Sequence, residues 1–400
     1  MLRFLTAGES HGQALVVIID GMPAGLPLSA DDIAADLARR QLGYGRGRRM
    51  AIERDRAEIL SGVRHGVTLG SPIALHIPNR DWTNWLHTMA VNEPADDLPG
   101  ARRATVTRPR PGHADLSGGL KYDRDDLRDI LERASARETA ARVAAGAVAR
   151  RLLSTIGIHI ASHVTAIGGV ALPGSASVSF AQANALATDD DMRCVDASVA
   201  AAMKQAIDAA KDAGDTVGGV FEVIAHDVPP GLGSHTHWDR KLDGRLAQAL
   251  MSIHAIKSVG IGLGADAGSR PGSAVHDEIL AATQPSGTVP GLARPTNRAG
   301  GLEGGVTNGE DVRVTAVMKP IATLMKPLRS IDLTTMADAP ATIERSDVCA
   351  VPAAAVVGEA MVAWVLADAA LEKFGGDTLD DFRAAHTHYL DRIATRLTRR

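Results

Sequence analysis

Residues 108–115 read Arg-Pro-Arg-Pro-Gly-His-Ala-Asp. The prolines at 109 and 111 fix φ and remove two backbone donors, so the segment makes a poor helix and a poor strand. Each proline also biases the arginine before it toward extended geometry. This stiff arm, carrying Arg108 and Arg110, ends at Gly112 and His113. Two permanent cations beside a group that titrates near neutrality suit an anionic substrate that exchanges a proton. The same octapeptide also suits a surface proline-rich loop.

Other strings carry comparable chemistry. Gly8-Glu9-Ser10-His11-Gly12 opens the backbone around a carboxylate, a hydroxyl and an imidazole, and His11 is either a catalytic group or a solvated loop residue. Arg39 and Arg40 end a predicted helix, and Arg46-Gly47-Arg48-Arg49 follow it. Ile33, Leu37 and Arg40 stand at i, i+4 and i+7, which places Arg40 on the apolar stripe. A cation there needs an anion, unless it snorkels outward. Arg133 and Arg137 lie four apart on a predicted helix. They repel unless an anion bridges them, or unless Asp129, Glu132 and Glu138 pair with them on a solvated face. Lys319-Pro320-Ile321-Ala322-Thr323 supplies a point charge and a hydroxyl. Arg345-Ser346-Asp347 forms either part of a site or a local ion pair. Residues 300–309 are glycine-rich but lack the Lys-Ser/Thr of a phosphate loop; their backbone can lie close to a flat ring.

The elements that must position these residues follow from pattern. Short buried strands are predicted at 2–7 and 14–20. A helix from the Ser29/Asp32 capping signal runs to about 41, with a Gly/Arg loop at 43–49. Strands are expected at 57–63 and 72–77, and a long irregular connection at 79–107. An alanine-rich helix is expected at 125–153, a strand at 156–170 and a weakly patterned insertion at 172–195. Helix, strand and helix follow at 196–213, 217–228 and 239–257. A glycine-rich loop at 281–310 precedes an alternating strand that delivers Lys319 to its end. Helices at 352–374 and 379–397 close the chain. The mixture lacks a βαβα rhythm, which favours a layered α+β protein over a doubly wound one, as one domain over residues 1–400. A duplicated half-domain within it is compatible with the length.

Composition narrows the class. The chain has 400 residues, 45% hydrophobic but only 3% aromatic, with 40 glycines. The core must therefore rest on Ala, Val, Leu and Ile. A net charge of −4 argues against nucleic-acid binding as the main business. Cys194 and Cys349 show no metal-like spacing, and a reducing compartment fits them. The first residues break into glycine too soon for a signal peptide. No apolar run is expected to approach the roughly 20 residues of a membrane span.

Jointly, GESHG (8–12), RPRPGHAD (108–115), ERASARETAARVAAG (132–146), TNRAGGLEGGVTNG (296–309), MKPIAT (318–323) and RSDVCAVPAAAVVGE (345–359) resemble the chorismate synthase family, in its order and over nearly the whole chain. The resemblance implies a β-α-β sandwich and a cytoplasmic homotetramer. It implies a carbon–oxygen lyase of the shikimate pathway, leading to aromatic amino acids. Such an enzyme converts 5-enolpyruvylshikimate 3-phosphate to chorismate and phosphate by anti-1,4-elimination, and requires reduced FMN without net redox change. NADPH as reductant, or a separate flavin reductase, follows from the same likeness; nucleic acid and membrane are not expected as partners.

By motif position, His11 resembles the imidazole that protonates the leaving phosphate, and His113 the one set against the flavin. Asp347 resembles the carboxylate beside flavin N5 that helps it accept the C6 proton. Arg40, Arg46 and Arg137 match substrate-binding positions, the first two also associated with NADPH. Arg133, Ala134, Ser135, His254, Ala255, Gly304, Lys319, Pro320, Ile321, Ala322, Thr323 and Arg345 match flavin-binding positions. No metal site is implied. His254 departs from the Asn or Gln of many relatives, and 260–265 lacks the acidic and Phe residues common there. Two rival readings remain at this level. An RNA-associated protein would use the 39–49 arginines and show salt-sensitive binding. A flavin reductase would oxidise NADPH without substrate.

Overall fold

The computed structural model describes residues 2–47, 54–92, 105–174, 178–344 and 346–398. The chain begins with β1 (Arg3–Ala7), β2 (Ala14–Asp20), α1 (Ala30–Gln41), β3 (Glu58–Ser61), a two-residue ladder of β4 (Val63–Arg64) and β5 (Val67–Thr68), and β6 (Ile73–Pro78). Then come α2 (Asp115–Tyr122), α3 (Arg128–Leu131) and α4 (Thr139–Ser154). Next are β7 (His159–Ile167), β8 (Val170–Ala171), α5 (Phe180–Asn184), α6 (Ala197–Asp212), β9 (Gly219–His226), α7 (Leu242–Met251) and β10 (Ile256–Ile261). Short ladders β11 (Leu280–Ala281) with β12 (Leu292–Ala293), and β13 (Leu302–Glu303) with β14 (Val306–Thr307), lead to β15 (Val312–Met318). The hairpin β16 (Arg329–Asp332) and β17 (Ala337–Pro340) precedes α8 (Val351–Phe374) and α9 (Leu379–Thr398).

Two antiparallel sheets, ordered β1-β2-β6-β3 and β10-β15-β9-β7-β8, enclose a layer of helices. α4 packs against β2 on one side and α8 on the other, and α8 packs onto β7 and β9. One continuous apolar cluster runs from Leu15 and Val17 through Val143 and Val148 to Phe221, Val223 and Val314. This is the layered α+β architecture the element pattern predicts. Alternation explains it: buried Val312, Val314, Ala316 and Met318 face the helices while Arg313 and Thr315 lie on the opposite face of the sheet. The Ser29 capping box is present, with Asp32 N–H donating to Ser29 Oγ at 3.3 Å and Ser29 N–H to Asp32 Oδ2 at 2.8 Å.

Where small residues dominate, elements come closer than usual. A Cβ on Gly146 of α4 would lie 2.3 Å from Ala360 Cβ and 2.5 Å from its Cα in α8. Gly146→Ala is therefore expected to lower unfolding stability by about 1–3 kcal/mol, although alanine is intrinsically the better helix former by about 1 kcal/mol. A denaturant midpoint that rises in this variant would contradict the close crossing.

Several expectations are corrected. The helix expected at 125–153 is broken: α3 ends at Leu131, Ser135 is extended and accepts from Arg137 N–H, and α4 starts at Thr139. Helix α2 lies before it, where none was expected. The helix expected at 239–257 stops at Met251, because Ala255 adopts φ +64° and the chain turns into β10, which pairs with β15. The 281–310 loop contains four short strands. Its glycines serve close approach of the chain to itself: a Cβ on Gly300 would lie 2.4 Å from Gly262 N, and one on Gly301 2.5 Å from Asp311 O. The irregular stretch from 79 carries a 3-10 turn at Arg80–Asn84, and residues 93–104 lie outside the described residues. Finally, α8 is by length and composition apolar enough to cross a bilayer, contrary to the expectation that no such run exists; it is the core helix, with 89% of its most apolar window buried.

Candidate active site

His11 sits in the loop joining β1 to β2. Asn79, buried at the end of β6, holds that loop: its Nδ2 donates to Glu9 O at 3.1 Å and Gly12 O at 2.8 Å. Glu132, just after α3, holds the histidine. Its carboxylate accepts the His11 backbone N–H at 2.9 Å, and both its oxygens lie 2.9 Å from His11 Nδ1. Ser10 N–H donates to Glu132 O at 3.0 Å, and Ser135 Oγ lies 3.1 Å from Ser10 Oγ. The imidazole stacks on Trp85 with centroids 3.9 Å apart. Burial pushes the Glu132 carboxyl up, but the His11 hydrogen bonds and charge and the Arg128 guanidinium at 3.1 Å outweigh it, and the group lies below the usual glutamate range.

The 108–115 arm is docked along the β16–β17 hairpin. Arg108 O accepts from Thr342, Pro109 O from Ser330 Oγ at 2.6 Å, and Leu333 N–H donates to Thr107 O. Arg110 is buried and turned inward. Its Nε donates to Asp115 Oδ2 at 2.8 Å and its Nη1 to Thr323 Oγ1 at 2.9 Å. His113 Nδ1 lies 2.5 Å from Asp115 Oδ1. Burial raises the Asp115 carboxyl, but the hydrogen bonds of His113 and Arg110 hold it well below the usual range. Lys319 Nζ donates to Gly112 O at 2.7 Å, which brings the 319–323 string against the arm.

The cations gather next to these histidines. Arg40 is buried, as its place on the apolar stripe predicts, donating to Thr139 Oγ1 and Ala136 O at 2.9 Å each. Its Nη1 is 3.6 Å from Asp55 Oδ2. Arg137 Nη1 reaches the same carboxylate at 2.6 Å, and its Nε donates to Asn79 Oδ1 at 2.9 Å. Arg46 Nη1 lies 3.2 Å from Asp347 Oδ2, whose other oxygen accepts Gly47 N–H at 2.6 Å. Burial, with repulsion from Arg46 and Arg137 against the pull of Asp55 and Asp347, pushes the Arg40 guanidinium down to about 9. His254, beside this group, is pushed down to about 4 by burial and by Arg142, His113 and Arg40, despite Glu138; it is neutral at pH 7.

Most of the residues singled out from the sequence therefore converge: His11, Ser135, Arg40, Arg137, Arg46, Asp347, His113, Lys319, Thr323 and His254. Ile321 O accepts Thr216 Oγ1 at 2.8 Å, Ala322 Cβ faces Gly112, and Ala255 O accepts Lys319 N–H, so Pro320 and its neighbours form one turn against the arm. Ala134 N–H donates to Ile130 O within the broken helix. Arg133 does not share a face with Arg137. Its Nη1 donates to Gly8 O and its Nη2 to Thr6 O, both at 2.9 Å, so it fixes the His11 loop through backbone. Gly304 lies in the β13–β14 turn beside His235, with no hydrogen bond or ion pair to the cluster among the described residues. Arg345, Arg48 and Arg49 lie outside the described residues.

Sequence reasoning missed Asn79, Asp55 and Trp85, and gave Glu132 and Asp115 no role toward the histidines. The Asp after His113 carried a local signal; the others are brought in by the fold. Of the 39–49 arginines, the described ones, Arg39, Arg40 and Arg46, are all largely buried on carboxylates and form no exposed basic stripe.

Two buried nitrogens, Arg40 Nη1 and His254 Nδ1, have no hydrogen-bond partner among the described residues. The Arg40 nitrogen is a buried donor, costly to leave unmade, so this place suits a ligand bearing acceptor oxygens and negative charge, while the neutral His254 Nδ1 donates or accepts according to its tautomer.

A family model described as chorismate synthase matches residues 2–371. A chorismate synthase of Moorella thermoacetica is 60% identical over 396 residues, covering 98% of this chain and 100% of the relative. One from Geobacter sulfurreducens is 56% identical over 395 residues, covering 98% and 99%. A crystal structure of chorismate synthase superposes with a TM-score of 0.78 at 45% identity, covering 98% of both chains.

Proposed function

Because the chain belongs to the chorismate synthase family, which catalyses the last step of the shikimate pathway, we propose that it eliminates phosphate from 5-enolpyruvylshikimate 3-phosphate to give chorismate, with reduced FMN and no net redox change. The C3–O bond breaks and phosphate departs with its electron pair. A proton leaves C6, and that C–H pair becomes part of the new diene. Atoms and electrons balance without an oxidant.

The observation that carries the reading is the buried cluster of cations. Arg40, Arg46 and Arg137 gather about Asp55 and Asp347, at 3.6, 3.2 and 2.6 Å. A substrate with two carboxylates and a phosphate suits such a cluster, and the cations are already in place as phosphate charge develops. Arg40, Arg46 and Arg137 hold the substrate. His11 gives its Nε2 proton to the departing phosphate, and Asp347 handles the proton that leaves C6. Lys319 to Thr323, His254, Ala255, Ala134 and Ser135 hold the flavin, with His113 set against it; Arg133 shapes the same wall, and Gly304 and Arg345 belong to the flavin side by motif. The orphaned Arg40 Nη1 and His254 Nδ1 fit such a group. Reduced FMN, when bound, supplies electron density that eases C–O cleavage.

The reading includes a single domain over the chain, a cytoplasmic homotetramer, and reduction of the flavin either by NADPH at Arg40 and Arg46 or by a separate flavin reductase. It is tested by following chorismate under anaerobic conditions with oxidised FMN, with chemically reduced FMN, and with oxidised FMN plus NADPH. Turnover is expected with reduced FMN. Turnover with oxidised FMN and no reductant would sink the reading. The NADPH arm separates self-reduction from dependence on a reductase.

A further inference from the structure

Both histidines of the site are mounted the same way. Each presents Nδ1 to a buried carboxylate, and each carboxylate is braced by an arginine from its own neighbourhood: His11 on Glu132 with Arg128, and His113 on Asp115 with Arg110. Glu132 and Asp115 are 1% and 0% exposed, so neither carboxylate exchanges partners with water. The contacts are close, at 2.9 and 2.5 Å, and Glu132 takes the His11 backbone N–H as well, which fixes ring and loop together.

We propose that Glu132 and Asp115 are positioning residues that impose one tautomer on both imidazoles, with the hydrogen on Nδ1, so that Nε2 is the nitrogen that exchanges protons in the site. An ionised carboxylate only accepts hydrogen bonds. Both carboxyls lie below their usual ranges, so at neutral pH both are ionised and each ring must donate. The 3.2 Å approach of Arg110 Nη2 to His113 Nδ1 is then a contact between two donors, and the 2.5 Å carboxylate bond decides the tautomer. Trp85 stacked on His11 and Arg128 5.3 Å from the Trp85 ring keep the ring plane from turning. For His11 the result is a shuttle: the imidazolium loses its Nε2 hydrogen while Nδ1–H stays on Glu132, so the neutral ring is left in the tautomer it needs to be recharged. This role rests on the lyase reading; the tautomer itself does not.

Two measurements on the intact protein test it. In ¹⁵N-histidine-labelled, sedimented enzyme at neutral or mildly alkaline pH, solid-state NMR reads the tautomer of each ring, with His11 and His113 assigned by loss of signal in His11→Asn and His113→Asn. Both are expected as Nδ1–H in the neutral ring. An Nε2–H ring at either position in the unmutated protein overturns the proposal there. In Glu132→Gln, which keeps an acceptor for the His11 backbone N–H, the amide can donate to Nδ1. His11 is expected to move to Nε2–H, with kcat falling about 10–100-fold, the usual cost of losing an outer partner, and KM within about twofold. An unchanged tautomer with unchanged kcat in Glu132→Gln contradicts the positioning role. Nδ1–H rings in a protein without lyase activity would leave the mounting intact and overturn only the proposed function.

Discussion

Glu359→Ala is expected to lower unfolding stability by about 3–5 kcal/mol, the range found when one partner of a buried charged cluster is removed. Glu359 of α8 is fully buried, and five donors reach its two oxygens. Arg39 of α1 donates at 2.8 and 2.7 Å, Arg193 at 3.0 Å and Ser162 of β7 at 2.6 Å, and Arg150 of α4 completes the set. One carboxylate thus joins the helix layer to the second sheet. Without it, three guanidinium groups face one another. Asp36 still meets Arg39 and Arg150, but Arg193 loses the carboxylate it meets at 3.0 Å. The surface pair Arg329–Asp338, 91% and 80% exposed, is the contrast: Asp338→Asn is expected to change stability by less than about 1 kcal/mol. Urea unfolding of both variants checks this, and a Glu359→Ala loss no larger than that of Asp338→Asn would contradict it.

The same residue sets an acid limb. Burial raises the Glu359 carboxyl, but Arg39, Arg150 and Arg193 hold it far below its ordinary 4.5. A depressed folded value means that the stabilisation is fully present above the ordinary value and is lost as pH falls through the folded one. Thermal stability of the unmutated protein should therefore decline below about pH 4.5. In Glu359→Gln that decline should be shallower.

His11→Ala is expected to reduce kcat by about 10²–10⁴-fold, the span of a lost general acid, with KM changed little. On the proposed reading, the leaving phosphate then departs without its proton donor while Arg40, Arg46 and Arg137 still bind. Glu132 keeps Arg128 at 3.1 Å, so the buried carboxylate is not stranded. Steady-state kinetics beside a thermal melt separates lost chemistry from lost fold. Unchanged turnover would remove His11 from the reaction.

The fold was legible where local signals and burial agree. The 2–7 and 14–20 strands, the Ser29 cap with α1 ending at Gln41, the alternating β15 and the two closing helices fall within a residue or two of expectation. It was not legible where distant contacts override propensity. Residues 132–135 read as helix among alanines, yet Arg133 is drawn to Thr6 and Gly8 and Ser135 turns to cap the next turn. Residues 252–257, which include the start of β10, read as the end of a helix until β15 pairs with that strand. In the site, the charged and titrating groups announced themselves by type. The carboxylates that orient them did not, because Glu132 meets His11 from 121 residues away, and Asp55 meets Arg137 from 82.

The proposed reaction is elimination on a flavin that ends as it began. The direct measurement is an anaerobic single turnover of 5-enolpyruvylshikimate 3-phosphate with the enzyme and chemically reduced FMN, reading phosphate, chorismate and the flavin spectrum together. Equal amounts of phosphate and chorismate, with the flavin returned to its reduced spectrum, are predicted. Phosphate release that consumes reduced flavin in proportion, or no phosphate at all, would contradict the account.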